Sequence, residues 1–181
     1  MEPLIALLRG INVGGKNKLP MKEVVRFFTA SGCSNVQTYL QSGNVLFEPG
    51  DAPVSDLSEM LSKRIAQETG LQVPVILRSR SDLEAICQRQ PYLSEEADPT
   101  RLLVYFLSEK PAAAALKTLD PHRSPGDRFI VLGKEIYLHL PNGAADTKLT
   151  NAYFDSRLLT VSTGRNWRTV LNLLELSYDY R

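Results

Sequence analysis

The chain is poor in the side chains on which metal and redox sites depend. Its 181 residues include two cysteines and two histidines. Cys33 and Cys87 have neither CxxC nor metal-ligand spacing, and neither histidine has a cysteine or carboxylate at a recognisable ligand or catalytic spacing. We therefore expect two reduced, packed thiols, no metal site and no cofactor.

The chain also lacks a long apolar run and a large excess of one charge. Residues 4–8 form the first apolar run, which is too short for the core of a signal peptide, and no stretch approaches membrane-spanning length. We therefore expect a cytoplasmic protein without a membrane partner. A formal net charge of +1 argues against a globally basic nucleic-acid-binding surface and leaves a local basic patch open.

The first half of the chain has the element order of a ferredoxin-like unit. Residues 4–8 predict a buried strand, and the apolar spacing after Pro20 predicts a helix that begins at this proline and ends at Gly32. The pattern then predicts two strands joined by a turn at Gly43-Asn44, a helix that ends at Gly70, and a strand over residues 73–77. This order is strand, helix, strand, strand, helix, strand.

The second half begins to repeat this order. A linking helix over residues 82–89 and a polar loop precede a strand over 102–107, a helix that begins at Pro111, and a hairpin over 128–140. We expect an α+β protein of two tandem ferredoxin-like (βαββαβ-type) halves, over residues 1–80 and 101–181, joined by a linking segment over 81–100. The polar tail over 144–159 is expected to depart from the repeat, and a helix with its apolar stripe from Trp167 is expected to follow it.

A glycine-rich basic loop over residues 9–18 is the main candidate for a functional site. Its spacing approaches that of a phosphate-binding loop, but Asn17 stands where a serine or threonine should follow the lysine. The corresponding connection in the second half, residues 108–110, is seven residues shorter than residues 10–19. An extra loop on a repeated scaffold is a better candidate for function than the scaffold, although a flexible solvated loop is the alternative.

The residue types favour binding of an anion. Arg165 and Asn166 are predicted to lie in the first turn of the last helix, where an arginine opposes the helix dipole and indicates either an acidic partner or a shared anion. We expect a binding module for an anionic or phosphate-bearing ligand; nucleotides and nucleic acid are candidates, although no RNP1-like string is present. An enzyme acting on a small substrate at the loop and a protein-interaction domain are the alternatives; oligomeric state and catalytic residues stay open. The candidate ligand-binding residues are Arg9, Gly10, Asn12, Gly14, Gly15, Lys16, Lys18, Arg165 and Asn166.

Three motifs resemble the DUF1697 family of bacterial proteins of unknown function: residues 7–18, 41–45 and 165–169. The resemblance implies an α+β protein with duplicated ferredoxin-like character and no established activity. Gly164 stands where the family pattern has a bulkier residue. The residues that recur in the family are Arg9, Gly10, Asn12, Val13, Gly14, Gly15, Lys16, Gln41, Ser42, Gly43, Asn44, Lys148, Asn151, Arg165, Asn166 and Trp167.

The expected topology separates two of these motifs. We expect the first and third strands of the unit to run parallel, which places the turn at Gly43-Asn44 at the sheet edge opposite the glycine-rich loop. We therefore expect that these two motifs do not meet within one half, and that one is a fold signature or that the site is assembled between the halves.

Overall fold

The first half of the chain forms a four-stranded antiparallel sheet covered by two helices. The structure, a computed structural model, describes residues 2–180. The strands lie in the order β2-β3-β1-β4, which is that of a ferredoxin-like unit. The elements are β1 (Leu4–Leu8), α1 (Met21–Ala30), β2 (Ser34–Tyr39), β3 (Asn44–Glu48), α2 (Val54–Thr69), β4 (Val75–Ser79) and the following helix α3 (Arg80–Gln88).

Alternating side chains of the central strands build the core of this half. Ala6 and Leu8 of β1 and Val45 and Phe47 of β3 lie in one buried cluster with apolar residues of both helices. The ring of Phe28 from α1 meets that of Phe47 edge to face, with centroids 5.1 Å apart. The continuous apolar run of β1 follows from burial on both faces, because Ile5 and Leu7 are fully buried as well.

The second half repeats the topology, which confirms the predicted fold class. Its strands lie in the order β6-β7-β5-β8. The elements are β5 (Leu102–Leu107), α4 (Ala113–Leu116), β6 (Arg128–Leu132), β7 (Glu135–His139), α5 (Asn151–Leu158), β8 (Ser162–Asn166) and the closing helix α6 (Trp167–Asp179). The alanine-rich helix is a single turn and begins two residues after Pro111.

The expectation that the tail departs from the repeat is wrong. Residues 151–158 form α5, the counterpart of α2, and residues 162–166 form β8, the counterpart of β4. The polar composition of this segment hides the pattern. Helix α5 buries Tyr153, Phe154 and Leu158 among polar residues, and β8 becomes a strand through its pairing with β5.

The chain divides into two compact units. One contains the residues up to Leu83 together with those from Leu173 onward, and the other contains Glu84–Asn172. The division of the chain into halves over residues 1–80 and 101–181 with a linking segment over 81–100 stays a prediction. Among the helices that the structure describes, none has the length and apolar composition needed to cross a bilayer.

Candidate functional site

The glycine-rich loop is a small hairpin with a two-residue turn. Val13 pairs with Lys16 in an antiparallel bridge, and the Lys16 N–H donates to the Val13 carbonyl at 3.0 Å. Gly14 and Gly15 form the turn with φ of 56° and 74°. Positive φ at both central residues is the conformation that a right-twisted two-residue hairpin needs, and glycine adopts it without a Cβ penalty. Lys16 is therefore held at the tip of a hairpin and does not open a helix.

Asn12 fixes the base of this hairpin. Its Nδ2 donates to the carbonyls of Leu19 and Gln41, both at 2.8 Å, and its Oδ1 accepts from the Leu19 N–H at 2.8 Å. On the other side of the hairpin, Asn17 Nδ2 donates to the Gly10 carbonyl at 2.9 Å. Ile11 and Leu19 flank these bonds and are buried in the core. The loop is thus braced along its length, which gives it a defined shape.

The turn between β2 and β3 lies beside the glycine-rich loop. Strands β1 and β3 are antiparallel, with Leu4 opposite Phe47, so the expectation of parallel strands, and of motifs that cannot meet within one half, is wrong. The Leu8 N–H donates to the Gly43 carbonyl at 2.8 Å. A Cβ added at Gly43 would lie 2.7 Å from Ile11 Cδ1, so this glycine permits the close approach of the turn to the loop.

This end of the sheet carries positive charge and no carboxylate. The segments that form it are residues 9–22, 39–47 and 70–77, and they contain no Asp or Glu. Their cations are Arg9, which is half-buried, and the lysines at positions 16, 18 and 22. Within the described part of the chain, these three lysines form no ion pair. The next acid along the chain, Glu23, pairs with Arg26 at 2.9 Å.

Helix α1 begins directly after the loop. Pro20 is the residue before the first helical residue, with ψ of 139°, and not the first helical residue as the sequence predicts. No side chain caps this helix end. Its first N–H groups therefore add a partial positive charge at the same end of the sheet.

Arg165 and Asn166 occupy a different setting from the one that the sequence predicts. They lie on strand β8, where Val104 is opposite Arg165, and not in the first helical turn. Arg165 is 7% exposed, and its Nη1 donates to the Gly164 carbonyl at 2.8 Å and to Thr163 Oγ1 at 2.9 Å. Burial lowers the pKa of this guanidinium to about 10.

Asn166 ends the strand and caps the next helix. Its Oδ1 accepts from the Thr169 N–H at 2.8 Å, so the side chain satisfies one of the free donors at the start of α6. The neighbouring Gly164 leaves room for the ring of Tyr105, because a Cβ at Gly164 would lie 2.5 Å from Tyr105 Cε1. This contact explains why a bulkier residue is absent here.

The sequence gives no signal for a polar cluster in the second unit. His139 is 7% exposed and lies between two partners. Arg128 Nη2 donates to His139 Nδ1 at 3.0 Å, and His139 Nε2 donates to Glu96 Oε2 at 3.1 Å. Arg128 also binds Glu95 at 2.6 Å and lies 5.0 Å from the centroid of the Tyr92 ring. These mutual contacts fasten the loop before β5 onto β6 and β7.

Comparison with known proteins supports the family resemblance. A family model described as protein of unknown function (DUF1697) matches residues 1–137. The fold is similar to that of the conserved bacterial protein SP0830 from Streptococcus pneumoniae, with 23% sequence identity, a TM-score of 0.74, and coverage of 98% of this chain and 99% of that chain. A search of curated proteins finds no match. The family model covers the glycine-rich loop and the neighbouring turn, and this chain belongs to the DUF1697 family.

Proposed function

We propose that this protein is a binding module for an anionic or phosphate-bearing ligand, which it holds at the sheet end formed by the glycine-rich loop and the β2–β3 turn. The observation that carries the proposal is the double hydrogen bond of Asn12 to Leu19 and Gln41, which holds a basic hairpin against a second connection. A site whose shape is fixed before binding loses less conformational entropy when the ligand arrives.

The charge of this sheet end supports an anion as the ligand. Three exposed lysines and the half-buried Arg9 lie on residues 9–22, and the three segments that surround the site contain no carboxylate. The equivalent end of the second half differs, because it contains Glu109 in the β5–α4 connection and Glu135 as the first residue of β7. A local excess of one sign attracts a ligand of the other sign and raises its association rate. Within the duplicated fold, the first half therefore offers the more favourable site.

The length of the loop also separates the two halves. Residues 9–20 connect β1 to α1, whereas the five residues 108–112 connect β5 to α4. The longer connection supplies the hairpin tip, with Lys16 and Lys18 exposed beside it. Connections carried on a rigid sheet are common binding sites.

The proposal is tested by melting the full chain with inorganic phosphate, nucleotides, sugar phosphates and short RNA oligomers at low and high salt. A compound at 100 times its dissociation constant should stabilise the protein by about 2.7 kcal/mol, which raises the melting temperature by roughly 5–10 °C for a chain of this size. We expect Lys16→Gln with Lys18→Gln to remove most of this increase, and high salt to weaken it.

The matched control is Lys110→Gln with Lys117→Gln, which removes the same charge from exposed positions of the second unit. If both pairs reduce the ligand effect equally, binding is a response to net charge and the site is wrong. Asn166→Asp tests separately whether the ligand binds at Arg165 and Asn166, because aspartate also caps a helix but would repel an anion. If no compound raises the melting temperature, the proposed function is wrong.

A further inference from the structure

We propose that the anion recognised at this sheet end is the headgroup layer of an anionic lipid bilayer, and that Val13 and Leu40 enter the boundary between headgroups and acyl chains. This inference rests on the proposed function, because it uses the same cations. It revises the expectation of no membrane partner, which rested on the lack of a membrane-spanning run and did not address binding at the bilayer surface. It adds the two apolar side chains, which a small phosphate compound would leave in water.

The two apolar residues are exposed in neighbouring connections of the first half. Val13 is 63% exposed in the hairpin and Leu40 is 51% exposed in the β2–β3 turn. Val13 follows Asn12 and Leu40 precedes Gln41, and the Asn12 side chain donates to the Gln41 carbonyl at 2.8 Å. Because this bond joins the two connections, both exposed residues lie at the same end of the sheet.

The backbone conformation of Leu40 is unfavourable, in addition to the exposure of its apolar side chain. Leu40 has φ of 59°, in the left-handed region that glycine and asparagine adopt with less strain. Because the leucine side chain is exposed, it buries little apolar area that could offset this strain.

Charge and apolar exposure together fit a bilayer better than other anionic partners. A lysine near an anionic membrane surface contributes about five-fold in affinity, the equivalent of ~1 kcal/mol. Aliphatic side chains gain by entering the acyl boundary, whereas nucleic-acid bases are bound mainly by stacking on aromatic rings. Val13 and Leu40 are aliphatic, so they favour lipid as the partner.

The test is flotation of the full chain with two kinds of vesicle, phosphatidylcholine alone and phosphatidylcholine with about one-third phosphatidylglycerol. We expect binding to the anionic vesicles only, and a loss of about ten-fold in partitioning for Val13→Thr with Leu40→Asn. These substitutions keep all cations, and asparagine tolerates the conformation of Leu40.

A matched control removes the same residue types elsewhere. Val54 is 52% exposed and Leu159 is 86% exposed with φ of 54°. Val54→Thr with Leu159→Asn should therefore leave vesicle binding unchanged. Equal losses in the two double variants would overturn the bilayer assignment, as would equal binding of Val13→Thr with Leu40→Asn and the natural chain.

The outcomes separate this inference from the proposed function. If phosphate or a nucleotide stabilises the chain through Lys16 and Lys18 but anionic vesicles do not bind, the anion site stands and the bilayer assignment is wrong. If an RNA oligomer binds and Val13→Thr with Leu40→Asn weakens that binding while vesicles are ignored, nucleic acid replaces the bilayer. If neither small anions nor vesicles bind, both proposals are wrong.

Discussion

At the scale of single residues, equivalent positions in the two halves meet the same backbone requirement with different side chains. Gly70 ends α2 with φ of 74°, and Leu159 ends α5 with φ of 54°. Both positions adopt the left-handed conformation that commonly terminates a helix and that favours glycine. The backbone of Leu159 is therefore strained where that of Gly70 is not, and the leucine side chain is almost fully exposed.

We predict that Leu159→Gly stabilises the chain by about 1 kcal/mol, because it relieves this strain and removes no buried contact. Urea unfolding of the variant should show a higher midpoint with an unchanged slope. The reciprocal change, Gly70→Leu, places a side chain at the equivalent helix end and should destabilise the chain by a similar amount. A lower midpoint for Leu159→Gly would show that the leucine side chain makes a stabilising contribution here.

At the scale of elements, Asn12 joins three pieces of the first half: the hairpin, Leu19 at the end of the loop and the β2–β3 turn. Its side chain makes three hydrogen bonds, and its φ is 54°. We predict that Asn12→Gly, which keeps the conformation but loses the bonds, destabilises the chain by about 1–3 kcal/mol. Asn12→Ala should cost about 1 kcal/mol more, because alanine is strained at positive φ.

Urea unfolding gives these differences, and amide hydrogen exchange locates them. The Leu19 N–H, which donates to Asn12 Oδ1, should exchange faster in both variants. Asn17→Gly is the control, since Asn17 makes one bond from its side chain, to the Gly10 carbonyl. If Asn12→Gly is no more destabilising than Asn17→Gly, the bond to Gln41 does not fasten the turn to the loop.

The elements that the sequence predicts well are those with a strong apolar pattern. Strand β1 has a continuous apolar run, and β5 covers the predicted residues 102–107. Strand β8 is not predicted from the sequence, because its residues, Ser162–Asn166, are mostly polar. It forms a strand through tertiary pairing with β5. The hydrogen bonds that hold the loop in place are not predicted either, because those of Asn12 span up to 29 residues of sequence.

At the scale of the whole molecule, one topology is built twice from different sequences. Both sheets place their first strand between the third and fourth, in the orders β2-β3-β1-β4 and β6-β7-β5-β8. In this arrangement the first and third strands are antiparallel neighbours, which brings the first connection beside the hairpin turn in each half. In the first half, the longer loop therefore lies beside the β2–β3 turn within the same topology that the second half has.

The titratable groups make one prediction about the molecule's response to acid. The pKa of Glu96 is lowered, first by the hydrogen bond from the Asp98 N–H and then by His139. A folded-state pKa below the unfolded value gives a contribution to stability above the unfolded pKa, and this contribution is lost as the pH falls through the folded pKa. Glu96→Gln should therefore lower the urea midpoint at neutral pH, and the difference from the natural chain should close at acid pH.

The measurement is the fluorescence of Trp167 in urea at several pH values from neutral to about pH 3. Trp167 is the chain's single tryptophan and is 3% exposed, so its emission reports unfolding of the second unit, which also contains Glu96. Glu109→Gln is the control, because this residue is exposed in the same unit. A midpoint difference for Glu96→Gln that stays constant across the range would mean that the carboxylate charge contributes nothing. The lower stability of Glu96→Gln would then come from poorer bonds of the amide to Asp98 and His139, and not from the loss of a charge that responds to pH.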